Sequence, residues 1–98
     1  MNVELVYFDD CPNWRFAQER LGAALENLGR HDVEVRLHRV ASPAEAESAG
    51  MHGSPTILVN GRAPFPHTSN DTWSCRLYRN GERLEGSPSV LALVEALR

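Results

Sequence analysis

Val3-Glu4-Leu5-Val6-Tyr7-Phe8 runs directly into Asp9-Asp10-Cys11-Pro12. The first six of these residues are β-branched, aromatic or otherwise apolar apart from Glu4, the pattern of a strand buried on both faces. Pro12 then predicts a helix start, because the N–H it lacks has no partner in a first helical turn. Trp14, Ala17, Leu21, Ala24 or Leu25, and Leu28 follow at intervals of three and four, which marks one apolar helical stripe. Gly29 stands where a helix end favours a left-handed residue. The expectation is an exposed cysteine, Cys11, at a strand–helix junction.

Outward from this unit the pattern alternates again. Val33, Val35 and Leu37 interleave with Glu34, Arg36 and His38, the period of a half-exposed edge strand. Ser42-Pro43-Ala44-Glu45 reads as the capping-box start of a short helix, with Gly50 as its stop. Thr56-Ile57-Leu58-Val59 is a second buried-strand run, and Asn60-Gly61 signals a tight turn. Cys75-Arg76-Leu77-Tyr78-Arg79 reads as a last strand, ended by Asn80-Gly81. Ser87 and Pro88 would cap and start a final helix striped by Val90, Leu93, Val94 and Leu97.

The expected order is β-α-β-α-β-β-α, a single α/β domain over residues 1–98 with an irregular inserted segment at about 61–74. A strand–helix–strand unit implies a parallel pair with a right-handed crossover. The last two strands can pair antiparallel, giving a mixed four-stranded sheet with helices on both faces. A hairpin at Asn60-Gly61, with residues 62–66 as partner strand, is the rival arrangement.

Composition narrows the function classes. A 98-residue chain supports one core. A net charge of −3, with ten scattered arginines and no lysine, argues against a nucleic-acid footprint. The absence of lysine reads as codon bias in a GC-rich genome rather than as chemistry. No stretch approaches the roughly 20 apolar residues of a membrane helix, and residues 3–8 lack the features of a signal peptide. A cytoplasmic location is therefore expected, with no membrane partner and no cofactor. The two cysteines lie 64 positions apart, matching neither a disulfide-rich scaffold nor a paired zinc motif.

At a helix N-terminus, backbone N–H groups and the positive dipole end favour a Cys11 thiolate. Arg15 would add to that effect, whereas Asp9 and Asp10 oppose it. The bland reading is that Cys11 is a small apolar residue, as many unpaired cysteines are.

Over essentially its whole length the chain resembles the thioredoxin superfamily, and within it small bacterial proteins with a Cys-Pro-x-Trp motif. The resemblance rests on residues 3–8, Asp10-Cys11-Pro12-Asn13-Trp14, and Gly53-Ser54-Pro55-Thr56-Ile57-Leu58-Val59-Asn60-Gly61. It implies a cis Ser54–Pro55 bond beside the active-site cysteine. The departure is Trp14, which stands where a Cys-x-x-Cys motif has its second cysteine. Trp14 cannot resolve a mixed disulfide, so its indole is expected to pack the helix on the sheet or to wall the thiol pocket.

The resemblance implies thiol–disulfide exchange, a one-cysteine oxidoreductase chemistry on a small-molecule or protein thiol or disulfide. Cys11 and Pro55 are the catalytic candidates. Pro12, Asn13, Trp14, Arg15, Ser54 and His52 would line the site. Cys75 is a candidate resolving partner, although a simple antiparallel pairing puts it at the end of the sheet away from Cys11, as a buried strand residue. His31, His38, His52 and His67 show no metal-ligand spacing. Phe65 and Trp73 read either as a lid over the Cys11 face or as loop anchors. Two other functions stay open: a non-catalytic binding or accessory domain of the same fold, and soft-metal or organomercurial capture by thiolate.

Overall fold

The computed structural model of the chain describes residues 1–65 and 73–98. Its elements are β1 (Val3–Tyr7), α1 (Trp14–Asn27), β2 (Val35–Arg39), α2 (Pro43–Ser48), β3 (Thr56–Val59), β4 (Tyr78–Asn80), β5 (Arg83–Glu85) and α3 (Val90–Leu97). The architecture is mixed α/β. β1 is central in a three-stranded sheet of order β2-β1-β3, parallel to β2 and antiparallel to β3.

Alternation along β1 sends side chains to two cores. Val3 and Leu5 join Ile57, Ala17, Leu21, Ala24 and Leu25 of α1, and Leu93 and Leu97 of α3. Val6 and Phe8 face the other way, into a smaller cluster with Cys11, Val40, Ala46 of α2 and Met51. Helices therefore cover both faces, and the cysteine lies on the thinner side.

Helix ends follow local chemistry. Past the end of α1, Gly29 takes φ +67° while its N–H and that of Arg30 bond back to Glu26 and Leu25 carbonyls, a Schellman closure. Ser42 caps α2 by accepting from Glu45 N at 3.1 Å, and Glu45 Oε2 accepts from Ala41 N at 2.7 Å. α1 starts at Trp14 with Asn13 at its N-cap, two residues later than the start predicted at Pro12. α3 is capped by Ser89, not Ser87, because Arg20 Nη1 donates to the Ser87 and Pro88 carbonyls and holds that dipeptide outside the helix.

The expected four-stranded sheet is corrected. Among the described residues β3 pairs with β1 alone, and Tyr78-Arg79-Asn80 pairs with Arg83-Leu84-Glu85 as a separate hairpin. The rival hairpin stops as soon as it starts. Asn60 and Gly61 take φ of 53° and 79° and close a single Val59–Arg62 bridge. Beyond it Pro64 has no N–H to continue a ladder. Asn80 fastens the second hairpin to the base of α3. Its Nδ2 donates to Glu85 Oε1 at 2.6 Å and to the Ser87 carbonyl at 3.0 Å, and its Oδ1 accepts from Ser89 N at 2.9 Å. The Asn80 hydrogen bond, with help from Arg20, holds the Glu85 carboxyl below its ordinary pKa.

No helix among the described residues is long and apolar enough to cross a membrane.

Candidate functional site

β1 ends at Tyr7, and residues 8–13 turn the chain into α1. The Cys11 N–H donates to the Phe8 carbonyl at 3.3 Å, which folds the cysteine inward. Cys11 is wholly buried rather than exposed. It stands at the expected junction between β1 and α1, but Phe8, Val40, Ala46 and Met51 close over it.

Opposite lies the segment that enters β3. The Ser54–Pro55 peptide bond is cis. Ser54 Oγ accepts from the Phe8 N–H at 3.2 Å, and Cys11 Sγ lies 3.5 Å from the Ser54 carbonyl oxygen. Thr56 Oγ1 donates to the Gly53 carbonyl at 2.6 Å and accepts from the His52 N–H at 3.0 Å. The Tyr78 hydroxyl donates to the Pro55 carbonyl. Side chains from two elements thus fix the backbone facing the cysteine.

Cys75 is the main correction. It belongs to no strand, it is exposed, and it is disulfide-bonded to Cys11 with Cα atoms 5.7 Å apart. The reason is one backbone bridge that periodicity does not reveal. The Ser54 N–H donates to the Ser74 carbonyl at 2.7 Å, and the Arg76 N–H donates to the Ser54 carbonyl at 2.9 Å. This parallel bridge lays Cys75 beside Ser54 instead of sending it to the far end of the sheet.

Gly53 makes the close approach feasible, since a Cβ there would lie 2.8 Å from Arg76 Cβ. Trp73 stacks on Phe8 with ring centroids 4.5 Å apart, and the Arg76 guanidinium lies 4.3 Å from the Tyr78 ring centroid. Arg76 Nη2 also donates to the Phe65 carbonyl at 3.0 Å. Phe65 packs edge-on to Tyr78 against the larger core, whereas Trp73 packs on the cluster that holds Cys11.

The other expected site residues divide. Trp14 stacks on Tyr7 at 4.3 Å, packing α1 on the sheet. The Arg15 guanidinium lies over the Trp14 ring at 5.3 Å. Pro12 is exposed, and Asn13 packs so close to Gly86 that a Cβ there would collide with it. The Asp9 carboxylate meets Arg39 at 2.6 Å, which compensates part of the negative charge beside Cys11. His52 enters through its backbone N–H, as above, and His38 Nδ1 lies 3.1 Å from Glu4 Oε1. His67 lies outside the described residues, as do residues 66–72 of the irregular segment. Among the described residues no three His, Cys, Asp or Glu side chains cluster as metal ligands.

The pattern places Gly53 beside Ser54 and Tyr78 in a strand, but carries no signal of the close approach at Gly53 or of the Tyr78 hydroxyl on the Pro55 carbonyl. Burial pushes the Tyr78 phenol up to about 12 from an ordinary 10.0. The folded state holds that proton more tightly than the unfolded chain, so stability is unaffected below pH 10 and falls as pH rises from 10 to 12. The full loss is about 2–3 kcal/mol. Urea midpoints measured from pH 8 to 11.5 should show this decline, and Tyr78→Phe should remove it while costing about 1 kcal/mol at pH 8. Equal alkaline declines in both proteins would exclude Tyr78 as the cause.

Fold and site together define a small mixed α/β domain with a disulfide between a buried and an exposed cysteine. No protein-family model matches the chain, and no curated protein or solved structure matches it.

Proposed function

We propose that the chain is a thioredoxin-like protein of thiol–disulfide exchange, working through Cys11 and Cys75. The observation that carries this reading is the disulfide itself, because one sulfur belongs to a buried residue and the other to an exposed one beside the cis Pro55. A small-molecule thiolate approaching from solvent meets Cys75 first. Its attack on Cys75 Sγ forms a mixed disulfide there and expels the Cys11 sulfur as thiolate. A second thiol attacks that mixed disulfide, leaves both cysteines reduced and departs as the oxidised small disulfide.

The Cys11 thiolate, at the positive end of α1, then attacks a substrate disulfide and releases one substrate sulfur as thiolate. Cys75 attacks the Cys11 sulfur of the resulting mixed disulfide and releases the second substrate thiolate. The Cys11–Cys75 bond re-forms, and two electrons have passed from the protein to the substrate. In these roles Cys11 is the nucleophile, Cys75 resolves, and Pro55 with Ser54 presents the backbone that aligns the partner.

The test is turnover of a disulfide-bonded peptide by dithiothreitol with the protein in catalytic amount. Wild type should accelerate reduction, Cys11→Ser should not, and Cys75→Ser should accumulate a mixed disulfide on Cys11 visible by mass spectrometry. No acceleration by wild type, or equal acceleration by Cys11→Ser, would refute the reading.

A further inference from the structure

We infer that residues 73–77 form a built-in occupant of the peptide-docking edge at Ser54, held there by the disulfide and released when it is reduced. The inference rests on the exchange reading above and adds its regulation and its substrate class. Ser54 is fully buried, and both of its backbone hydrogen-bonding groups are taken by this arm, one on each side of Cys75. The arrangement is that of a strand-like peptide joined to Cys11 through its own cysteine, except that the peptide belongs to the same chain. Trp73 on Phe8 anchors the arm before the cysteine, and Arg76 over Tyr78 anchors it after. Glycine at position 53 lets the arm lie this close, since a Cβ there would stand 2.8 Å from Arg76 Cβ.

While the arm is docked, Cys11 is out of reach of any disulfide-bearing partner. Two equivalents of a small thiol open the bond through Cys75, as described, and leave the arm held by non-covalent contacts, among them the two backbone hydrogen bonds to Ser54, the two ring contacts and the Arg76 Nη2–Phe65 carbonyl hydrogen bond. An incoming chain takes its place by making the same two bonds. Its substrate class follows: an extended peptide running parallel to residues 53–55, with an aromatic side chain two residues before its cysteine. The residue after the cysteine must carry an N–H for the Ser54 carbonyl, so proline there is rejected.

Amide hydrogen exchange of the oxidised and the dithiothreitol-reduced chain tests the release. On reduction the Ser54 and Arg76 amides should exchange near the rate of an unstructured peptide, while the β1 amides stay protected. Continued protection of Ser54 and Arg76 at the level of β1 would overturn the proposal. So would loss of protection throughout the chain, which would make the disulfide a plain staple. A fluorescent peptide with the sequence of residues 73–77 and serine for the cysteine should bind the reduced chain and not the oxidised one. Its counterpart with proline after that serine should not bind; equal binding of the two peptides also overturns the proposal. Neither measurement requires turnover, so failure of exchange activity and failure of arm release are read separately.

Discussion

Reduction of the Cys11–Cys75 disulfide should lower the stability of the chain by about 4 kcal/mol, the loop-closure value for cysteines this far apart. The bond spans 64 positions and encloses α1, β2, α2 and β3, so its loss restores much freedom to the unfolded chain. Domains of this size are stable by roughly 5–15 kcal/mol, which makes the effect a large share of the total. The expected fall in Tm is roughly 15–30 °C. The two serine variants divide the effect. Cys75→Ser sits at an exposed residue and should reproduce the cost of reduction alone. Cys11→Ser also puts a hydroxyl among Val6, Phe8, Val40 and Met51, and should cost about 1–3 kcal/mol more. Thermal melts of the oxidised chain, the chain in a non-thiol reductant and the two variants provide the comparison. If reduction leaves Tm unchanged, the cross-link does not constrain the unfolded chain as argued.

What the sequence disclosed depended on how local the cause was. β1, α1 and α2 follow from periodicity and from residues that act within one turn: Gly29, Ser42 with Glu45, and Gly50 at φ +78°. The Asn60-Gly61 turn is local in the same way. The fourth strand was misjudged because Cys75-Arg76-Leu77-Tyr78-Arg79 has strand-like composition but only its end pairs, and with a three-residue partner whose pattern carries no apolar alternation. Cys75 escaped placement for a related reason. Its position is set by a single bridge to Ser54, twenty-one positions earlier, and no property of either segment alone announces it. Cys11 was expected at the surface because a strand–helix junction is usually solvated. Here the arm and α2 cover it, and both come from elsewhere in the sequence.

The two-sided core should separate stability from access to the disulfide. Leu21→Ala and Met51→Ala each delete most of a fully buried side chain and should each cost about 2–5 kcal/mol. Their surroundings differ. Leu21, on α1, shares its cluster with α3 and the Val3–Leu5 side of β1, and that cluster contains neither cysteine. Met51 lies in the small cluster that contains Cys11, roofed by the six-residue α2 and by Trp73. A cavity beside Cys11 loosens the wall that keeps its sulfur in place, so dithiothreitol should reduce the disulfide faster in Met51→Ala than in wild type. In Leu21→Ala the rate should stay within about twofold of wild type, as for sites with no shared partner. Rates of thiol appearance at pH 8, measured well below each variant's Tm, decide the matter. Equal acceleration by both substitutions would mean that reduction proceeds through general unfolding, and that the exposed Cys75 is not the point of entry.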